Sequence, residues 1–227
     1  MSYYAGMRSL SAALYAGLET ILDAVLPPRA RPSRTKQLSA EDIPLTPTSH
    51  DLLGVKIATL MDYQRQEVQD LIQSLKYDGS GRAAHLCAGV LAEYLMEELS
   101  SAKIFSQKEI LLVPVPLHAS RSRERGFNQI ALVLQSLPPE FRDGTKSRLA
   151  PEVLVRVRAT KQQTKLFRSE RLSNVAGAFA LAHGHHVQKT HIFLIDDVAT
   201  TGATLANAAT PLRRAGAHVT LLALARA

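Results

Sequence analysis

Cysteine is almost absent from this chain of 227 residues, and Cys87 is the only one. A single thiol cannot form a disulfide or a thiolate zinc site within the chain, so neither can stabilise the fold. Cys87 lies in the helix-like run 83–99, where we expect a small core residue rather than a nucleophile. The lack of a disulfide framework predicts a reducing compartment, and we therefore expect a cytoplasmic protein.

Aromatic residues are also scarce, at 5% of the chain. A stacking platform for single-stranded nucleic acid is therefore poorly supported, because such a platform needs several rings. Negative charge is in deficit, since 27 Lys and Arg stand against 20 Asp and Glu and give a net charge of +7. This surplus fits a polyanionic partner, either a phosphorylated metabolite or nucleic acid, or simply a basic surface.

The N-terminal apolar run is too short to span a bilayer or to act as an export signal, because Glu19 and Asp23 interrupt it. Its apolar residues recur at helical spacing until Pro27 and Pro28. The pattern predicts an amphipathic helix, with no membrane insertion, that could pack against a second subunit in a homodimer.

Composition divides the chain into two parts. Residues 27–50 are rich in Pro, Ser, Thr and Arg and lack periodicity, which predicts a linker or an extended wrap over the surface. We therefore assign 1–50 to an N-terminal helix and linker and 51–227 to a globular domain. In the second part, strands are predicted at 110–115, 153–157, 191–195 and 219–224, and helices at 68–75, 82–99, 130–137 and 203–215. Apolar strands separated by helices are typical of an α/β fold with a parallel sheet.

The most informative segment is 192–204, Ile-Phe-Leu-Ile-Asp-Asp-Val-Ala-Thr-Thr-Gly-Ala-Thr, in which an apolar strand ends in two carboxylates. Ligands of open α/β sheets bind beyond the carboxyl ends of strands, where this loop should lie. A phosphate monoester needs converging donors and little bulk. The hydroxyls of Thr200, Thr201 and Thr204, the small Gly202 and the N-terminus of the next helix meet those needs.

The adjacent carboxylates of Asp196 and Asp197 repel each other, which destabilises the fold unless a hydrogen-bond donor or a cation contacts them. Ribose hydroxyls are such donors, and a Mg²⁺ ion shared with the ligand would reduce the repulsion further. The alternative is a plain strand-to-helix turn in which Asp197 and the threonines only cap the helix. Capping needs one such residue, so five polar residues around one glycine favour a ligand site.

Two other phosphate-binding motifs do not fit the chain. No G-x-x-x-x-G-K-[ST] sequence occurs, which excludes a P-loop. The segment 79–84, Gly-Ser-Gly-Arg-Ala-Ala, matches the loose dinucleotide fingerprint. It follows a helix-like run rather than a strand, so we reject this interpretation.

The segment after the strand at 191–195 resembles the phosphoribosyltransferase signature, and other motifs resemble the ComF family of competence-associated proteins. These motifs are Leu75-Lys76-Tyr77-Asp78-Gly79, Val113-Pro114-Val115-Pro116-Leu117-His118, Arg125-Gly126-Phe127-Asn128-Gln129 and Gly177-Ala178-Phe179. The resemblance covers about residues 52–227. Many relatives carry a four-cysteine zinc ribbon at the N-terminus, whereas residues 27–50 contain no cysteine. Partners that the resemblance would connect with that ribbon are single-stranded DNA and a competence helicase, and residues 27–50 lack the cysteines that form it.

The resemblance implies a phosphoribosyltransferase-type Rossmann-like parallel sheet flanked by helices, with a small hood. It implies 5-phosphoribosyl-1-pyrophosphate (PRPP) with Mg²⁺ as the ligand. Asp196 and Asp197 would be the catalytic pair that takes the ribose hydroxyls and contacts the metal. The 5′-phosphate would lie on Ala199, Thr200, Thr201, Gly202, Ala203 and Thr204.

The resemblance also places the pyrophosphate, and a mobile basic loop over 158–171 would close on it. The corresponding residues are Leu117, His118, Arg121, Arg125, Lys161, Arg168 and Arg171. For His118 a structural hydrogen bond is an equal alternative. The cluster of Arg121 and Arg125 could instead pair with acidic neighbours or contact a nucleic-acid backbone.

Two functions are compatible with this site. The first is an enzyme that displaces pyrophosphate from PRPP with an acceptor that the sequence does not identify, since no residue is marked as a general base. The second is a non-catalytic PRPP-binding module that supports competence and DNA uptake. The fold alone does not decide between them, because such sites can persist without turnover.

Overall fold

The computed structural model describes residues 35, 38–105, 109–117, 126–158 and 177–227, with the backbone alone for 101–105. The predicted N-terminal amphipathic helix lies outside these residues. No helix in the described part of the chain combines the length and the apolar character that crossing a membrane requires.

The described residues form a central sheet of six strands. These are β1 (Thr48–Leu52), β2 (Val55–Asp62), β3 (Ile110–Pro114), β4 (Arg148–Leu149), β7 (His191–Ala199) and β8 (His218–Arg226). Their order across the sheet is β1-β2-β8-β7-β3-β4. β1 and β2 are antiparallel, and all other neighbours are parallel. The predicted α/β fold with a Rossmann-like, mostly parallel sheet is confirmed.

Helices cover both faces of this sheet. They are α1 (Gln66–Asp78), α2 (Gly81–Phe105), α3 (Gln129–Gln135) and α4 (Ala203–Arg214). The first three pack on one face, where Phe193 and Ile195 join their apolar residues in one core cluster. α4 packs on the other face, where Leu205 lies in a second cluster with Leu194. Because residues 192–195 of β7 are buried on both faces, this part of the strand is a continuous apolar run.

A separate two-stranded sheet lies outside the central one. β5 (Leu154–Arg156) and β6 (Phe179–Leu181) pair antiparallel, and β6 packs against α4. The strand predicted at 153–157 therefore exists, but it does not belong to the parallel sheet. The strand β5 is covered on one face only, since Leu154 is 1% exposed and Val155 is 38% exposed, whereas strands of the parallel sheet are covered on both faces. One covered face and one solvated face are typical of antiparallel pairs.

The central sheet begins within the segment predicted as a linker. β1 starts at Thr48, and before it Ile43 is buried in the core that α1 and α2 share. Thr35 Oγ1 lies 2.6 Å from Ser74 Oγ, and its carbonyl oxygen accepts a hydrogen bond from Arg82 Nε at 3.3 Å. Neither β1 nor β2 was predicted. The sequence of β1, Thr-Ser-His-Asp-Leu, shows no alternation of apolar residues, and Lys56 and Thr59 interrupt the apolar residues of β2.

A glycine turn joins α1 to α2. Gly79 ends α1 in the left-handed region (φ 57°) and donates its N–H to the carbonyl of Ser74, and α2 begins at Gly81. The segment 79–84 thus comprises this turn and the first residues of α2, and it follows a helix, as the sequence predicted.

Candidate functional site

β7 carries both carboxylates within its length. It continues four residues beyond its predicted end at Ile195, with Asp196 opposite Ala223 and Val198 opposite Ala225 in β8. The predicted end was wrong because backbone pairing with β8 persists where the side chains turn polar. The structure thus fixes the backbone of both aspartates in the centre of the sheet.

A depression opens at the carboxyl end of β7. It is lined by Asp196 and by residues 198–205, which include the whole predicted phosphate loop, 199–204. Its volume of about 220 Å³ includes space open to solvent.

The N-terminus of α4 faces this depression. Gly202 is the N-cap residue, with φ 77°, and no side chain caps the helix from that position. Thr201 Oγ1 lies 3.4 Å from the N–H of Ala203, at the long end of hydrogen bonding. Asp197 contacts other groups, described below, so it does not cap the helix, whereas Thr201 accepts from the N–H of the first helical residue. The positive end of the helix dipole is directed at the depression, which favours an anion.

Gly202 also lies close to the β1–β2 hairpin. A Cβ atom at this position would lie 2.6 Å from Ile57 Cδ1 and 3.0 Å from Leu52 Cβ. Real Cβ atoms do not approach neighbours so closely, and the positive φ adds strain for any other residue. The hairpin therefore supports the loop from the side, and the loop requires glycine here for two independent reasons.

The two aspartates have different partners. Asp196 lines the depression, and its Oδ1 accepts a hydrogen bond from the N–H of Asp197 at 2.9 Å. Asp197 is 8% exposed; its Oδ1 accepts from the N–H of Val198 at 2.6 Å, and its Oδ2 accepts from Gln129 Nε2 at 2.6 Å. Because neighbouring side chains of a strand point to opposite faces, Asp197 is directed towards α1 and α3.

Lys76 forms a second contact with Asp197. Its Nζ lies 3.7 Å from Asp197 Oδ2, with side-chain exposures of 21% and 12%. Neither Lys76 nor Gln129 was predicted as a site residue. Both belong to motifs that resemble the ComF family, and this was the available signal. Periodicity alone assigned them to helices and gave them no role.

Burial and, second to it, the negative charge of Asp197 raise the pKa of Asp196 to about 7, while the N–H of Asp197 and the charges of Lys76 and Arg156 act in the opposite direction. A carboxyl group in this position gains from a hydroxyl donor or a cation that stabilises its charged form. Mg²⁺ prefers carboxylate oxygens, and Asp196 could give it one beside the oxygens of a ligand. The described residues include no cluster of three side chains that could hold a metal ion by themselves.

The β5–β6 pair holds the ends of the segment predicted as a basic loop. Arg156 is opposite Phe179, its guanidinium lies 5.1 Å from the centre of that ring, and the N–H of Val157 donates to the carbonyl of Ala178 at 2.9 Å. Arg156 also acts on the pKa of Asp196. The predicted residues Lys161, Arg168 and Arg171 lie outside the described residues.

The segment after β3 leads to the same edge of the sheet. β3 pairs parallel with β7, Pro114 is opposite Ile195, and the N–H of Val115 donates to the carbonyl of Ile195 at 2.8 Å. Leu117 follows two residues later and is partly buried. The other predicted pyrophosphate-binding residues of this segment, His118, Arg121 and Arg125, lie outside the described residues.

Comparison with known proteins identifies similar sequences. The chain is 36% identical to the DNA utilization protein YhgH of Salmonella typhi over 148 residues, which are 65% of this chain and 61% of that protein. It is 32% identical to the competence protein ComFC of Streptococcus pneumoniae over 165 residues, 73% of this chain and 65% of that protein. It is 33% identical to YhgH of Escherichia coli K12 over 163 residues, 71% of this chain and 67% of that protein.

The chain thus spans 61–67% of the length of these relatives. No protein-family model matches it. The matches to relatives named for competence and for DNA utilization cover 65–73% of this chain. The chain therefore belongs to the ComF family of competence and DNA-utilization proteins.

Proposed function

We propose that this chain binds PRPP with Mg²⁺ and transfers the phosphoribosyl group to an acceptor. The observation that carries the proposal is the depression in which Asp196, the loop 199–204 and the N-terminus of α4 meet. Donors for a phosphate and an acceptor for ribose hydroxyls lie within one small space, and each comes from the carboxyl end of β7. A ribose phosphate is the ligand whose two ends match these groups.

In the proposed complex, the 5′-phosphate lies against the backbone of Gly202 and Ala203 and the hydroxyls of the loop threonines. Asp196 accepts from the ribose hydroxyls and stabilises the positive charge that develops on the ribose. The bond from ribose C1 to pyrophosphate breaks as the bond from the acceptor to C1 forms. When bound, Mg²⁺ supplies charge that neutralises the departing pyrophosphate. The chain's own contribution is mostly position and electrostatics.

A second function is favoured by the names of the relatives. They are called competence and DNA utilization proteins, and neither name describes a transferase. In this alternative the same site binds PRPP without turnover, and the chain supports the uptake or use of DNA. Both functions need the ligand site, and they differ in whether pyrophosphate is released.

Binding and turnover are tested separately. Calorimetry with PRPP and Mg²⁺ should show saturable binding, and Asp196→Asn should weaken it by about 1.5–3 kcal/mol, the usual value of a hydrogen bond to a charged group. This corresponds to roughly ten- to a hundredfold in affinity. Asp51→Asn, an exposed carboxylate on β1, is the matched control and should bind as the wild type does.

Turnover is measured as pyrophosphate release from PRPP across a panel of nucleobases and amines. Release that depends on one acceptor supports the transferase. Binding without release from any acceptor supports the non-catalytic module. Wild-type protein that binds no PRPP contradicts both functions.

A further inference from the structure

We propose that Lys76 and Gln129 are positioning residues for the ligand site and act through Asp197. The inference rests on the proposed PRPP site and gives its two aspartates separate tasks. Asp196 contacts the ribose, whereas Asp197 holds the strand end in place from the opposite face of the sheet.

The contacts of Asp197 account for both carboxylate oxygens. The N–H of Val198 donates to Oδ1, while Gln129 Nε2, at 2.6 Å, and Lys76 Nζ, at 3.7 Å, share Oδ2. Asp197 does not line the depression that Asp196 lines. With 8% of its surface exposed, it has little access to a ligand and several fixed partners within the protein.

Charge explains why these partners are needed. Two adjacent carboxylates repel one another, and neither is fully solvated. A cation and an amide donor beside Asp197 stabilise its charge, so that its neighbour can take a hydroxyl donor at the depression. Gln129 is 4% exposed, and with its Nε2 directed at Asp197 its Oε1 has no partner among the described residues. Leaving a buried amide oxygen without a hydrogen bond costs free energy. The hydrogen bond from Nε2 to Asp197 is what Gln129 gains in this orientation.

The two contacts are fixed by packing between distant parts of the sequence. Lys76 lies in the last turn of α1, and Gln129 is the first residue of α3. A Cβ at Gly79, the residue that ends α1, would lie 2.9 Å from the ring of Phe127. Asn128 caps α3 by accepting from the N–H groups of Ile130 and Ala131. Both contacting residues therefore lie within three positions of one tight junction.

The test is a double-mutant cycle on affinity for PRPP with Mg²⁺, measured by calorimetry. Lys76→Met and Asp197→Asn should each weaken binding about tenfold or more, and the double variant should bind within about threefold of Asp197→Asn alone. Lys76→Arg should recover most of the affinity. Gln129→Met should weaken binding in the same direction as Lys76→Met.

Lys146→Met is the matched control, because Lys146 also lies beside a carboxylate, 3.6 Å from Glu140. It precedes β4, whose first residue is opposite Leu111 near the start of β3, so it lies towards the other end of the strands. Affinity should not change. Melting temperatures identify variants that fail to fold, and Lys76→Gln then replaces Lys76→Met in the cycle.

The outcomes separate the two proposals. Wild-type protein without affinity for PRPP overturns the proposed function, and this inference with it. If the wild-type protein binds PRPP but the losses of affinity caused by Lys76→Met and Asp197→Asn are additive, the inference alone is overturned. A Lys76→Arg variant that binds PRPP as weakly as Lys76→Met also overturns it. Non-additive loss with recovery by arginine supports it.

Discussion

At the residue scale, Asp196 and Asp197 are adjacent in sequence but have unlike surroundings. Asp197 is held by Gln129 and Lys76, whereas Asp196 faces an open depression. This arrangement lowers the stability of the ligand-free protein, since a carboxyl group is kept partly buried beside a like charge. A ligand that donates a hydrogen bond to Asp196 offsets this destabilisation. The residue that destabilises the ligand-free protein is therefore also the one that favours binding.

This destabilisation predicts a pH dependence of stability. Asp196 has a pKa of about 7 in the folded protein against 3.8 for the ordinary group. Between these values the folded state holds a proton that the unfolded state has lost. The free energy of unfolding should therefore fall as pH rises through this window. Below pH 4 both states are protonated and this contribution no longer changes.

Asp196→Asn should remove this contribution. Without ligand, the variant should be more stable than the wild type at pH 8, and the difference should shrink towards pH 5. Denaturant unfolding at four pH values measures it, with Asp51→Asn as the control for the loss of one negative charge. A difference that stays constant with pH would show that Asp196 remains ionised throughout.

At the element scale, the β1–β2 hairpin forms the side support of the phosphate loop. Ile57 is fully buried, and its Cδ1 occupies the space beside Gly202. Removing that methyl group should leave the loop less restricted without altering any residue of the loop itself. The hairpin thus affects a site to which it contributes no polar group.

Ile57→Val should lower stability by about 0.5–1.5 kcal/mol and also weaken binding of PRPP with Mg²⁺. Ile192→Val is the control, because Ile192 is equally buried near the start of β7, away from the loop. It should show a similar loss of stability with unchanged affinity. Equal affinities for the two variants would mean that the hairpin does not restrict the loop. Denaturant unfolding and calorimetry give the two values.

The strands at Ile110–Pro114 and His191–Ala199 were predictable from their apolar runs, whereas β1, β2 and β4, whose sequences mix polar and apolar residues, were not predicted. The runs before Val115 and Ile195 are apolar because both faces of their strands are covered, and this gave the position of the site. β1 and β4 are edge strands with polar sequences, and pairing with their neighbours determines them. The prediction of the site was also limited to residues that a local sequence pattern marks. The loop was readable because its residues are consecutive, whereas Lys76 and Gln129 reach Asp197 only through the packing of α1 and α3.

At the scale of the whole molecule, the sheet separates two core clusters, and the ligand site lies at the edge where both layers contribute. α1 and α3 contact Asp197 from one side, and α4 with its loop encloses the depression on the other. A ligand held at this edge contacts parts of the chain that belong to different layers. Its binding energy should therefore stabilise the fold as a whole against unfolding.

PRPP with Mg²⁺ should raise the melting temperature. At a free ligand concentration about one hundred times Kd, the folded state gains about 2.7 kcal/mol. For a chain of this size that corresponds to roughly 5–10 °C. Mg²⁺ alone is the control and should give a much smaller shift. An equal shift with Mg²⁺ alone would mean that the metal, and not the sugar phosphate, is the stabilising ligand.

The contact between Gly79 and Phe127 has a consequence for how this chain can vary. The ring fills the space that any side chain at position 79 would need, and the left-handed backbone there excludes most residues in any case. A bulkier residue at 79 is tolerable only with a smaller one at 127. Two segments that are nearly fifty residues apart are therefore under one shared steric constraint, and a substitution in either changes which substitutions the other can accept.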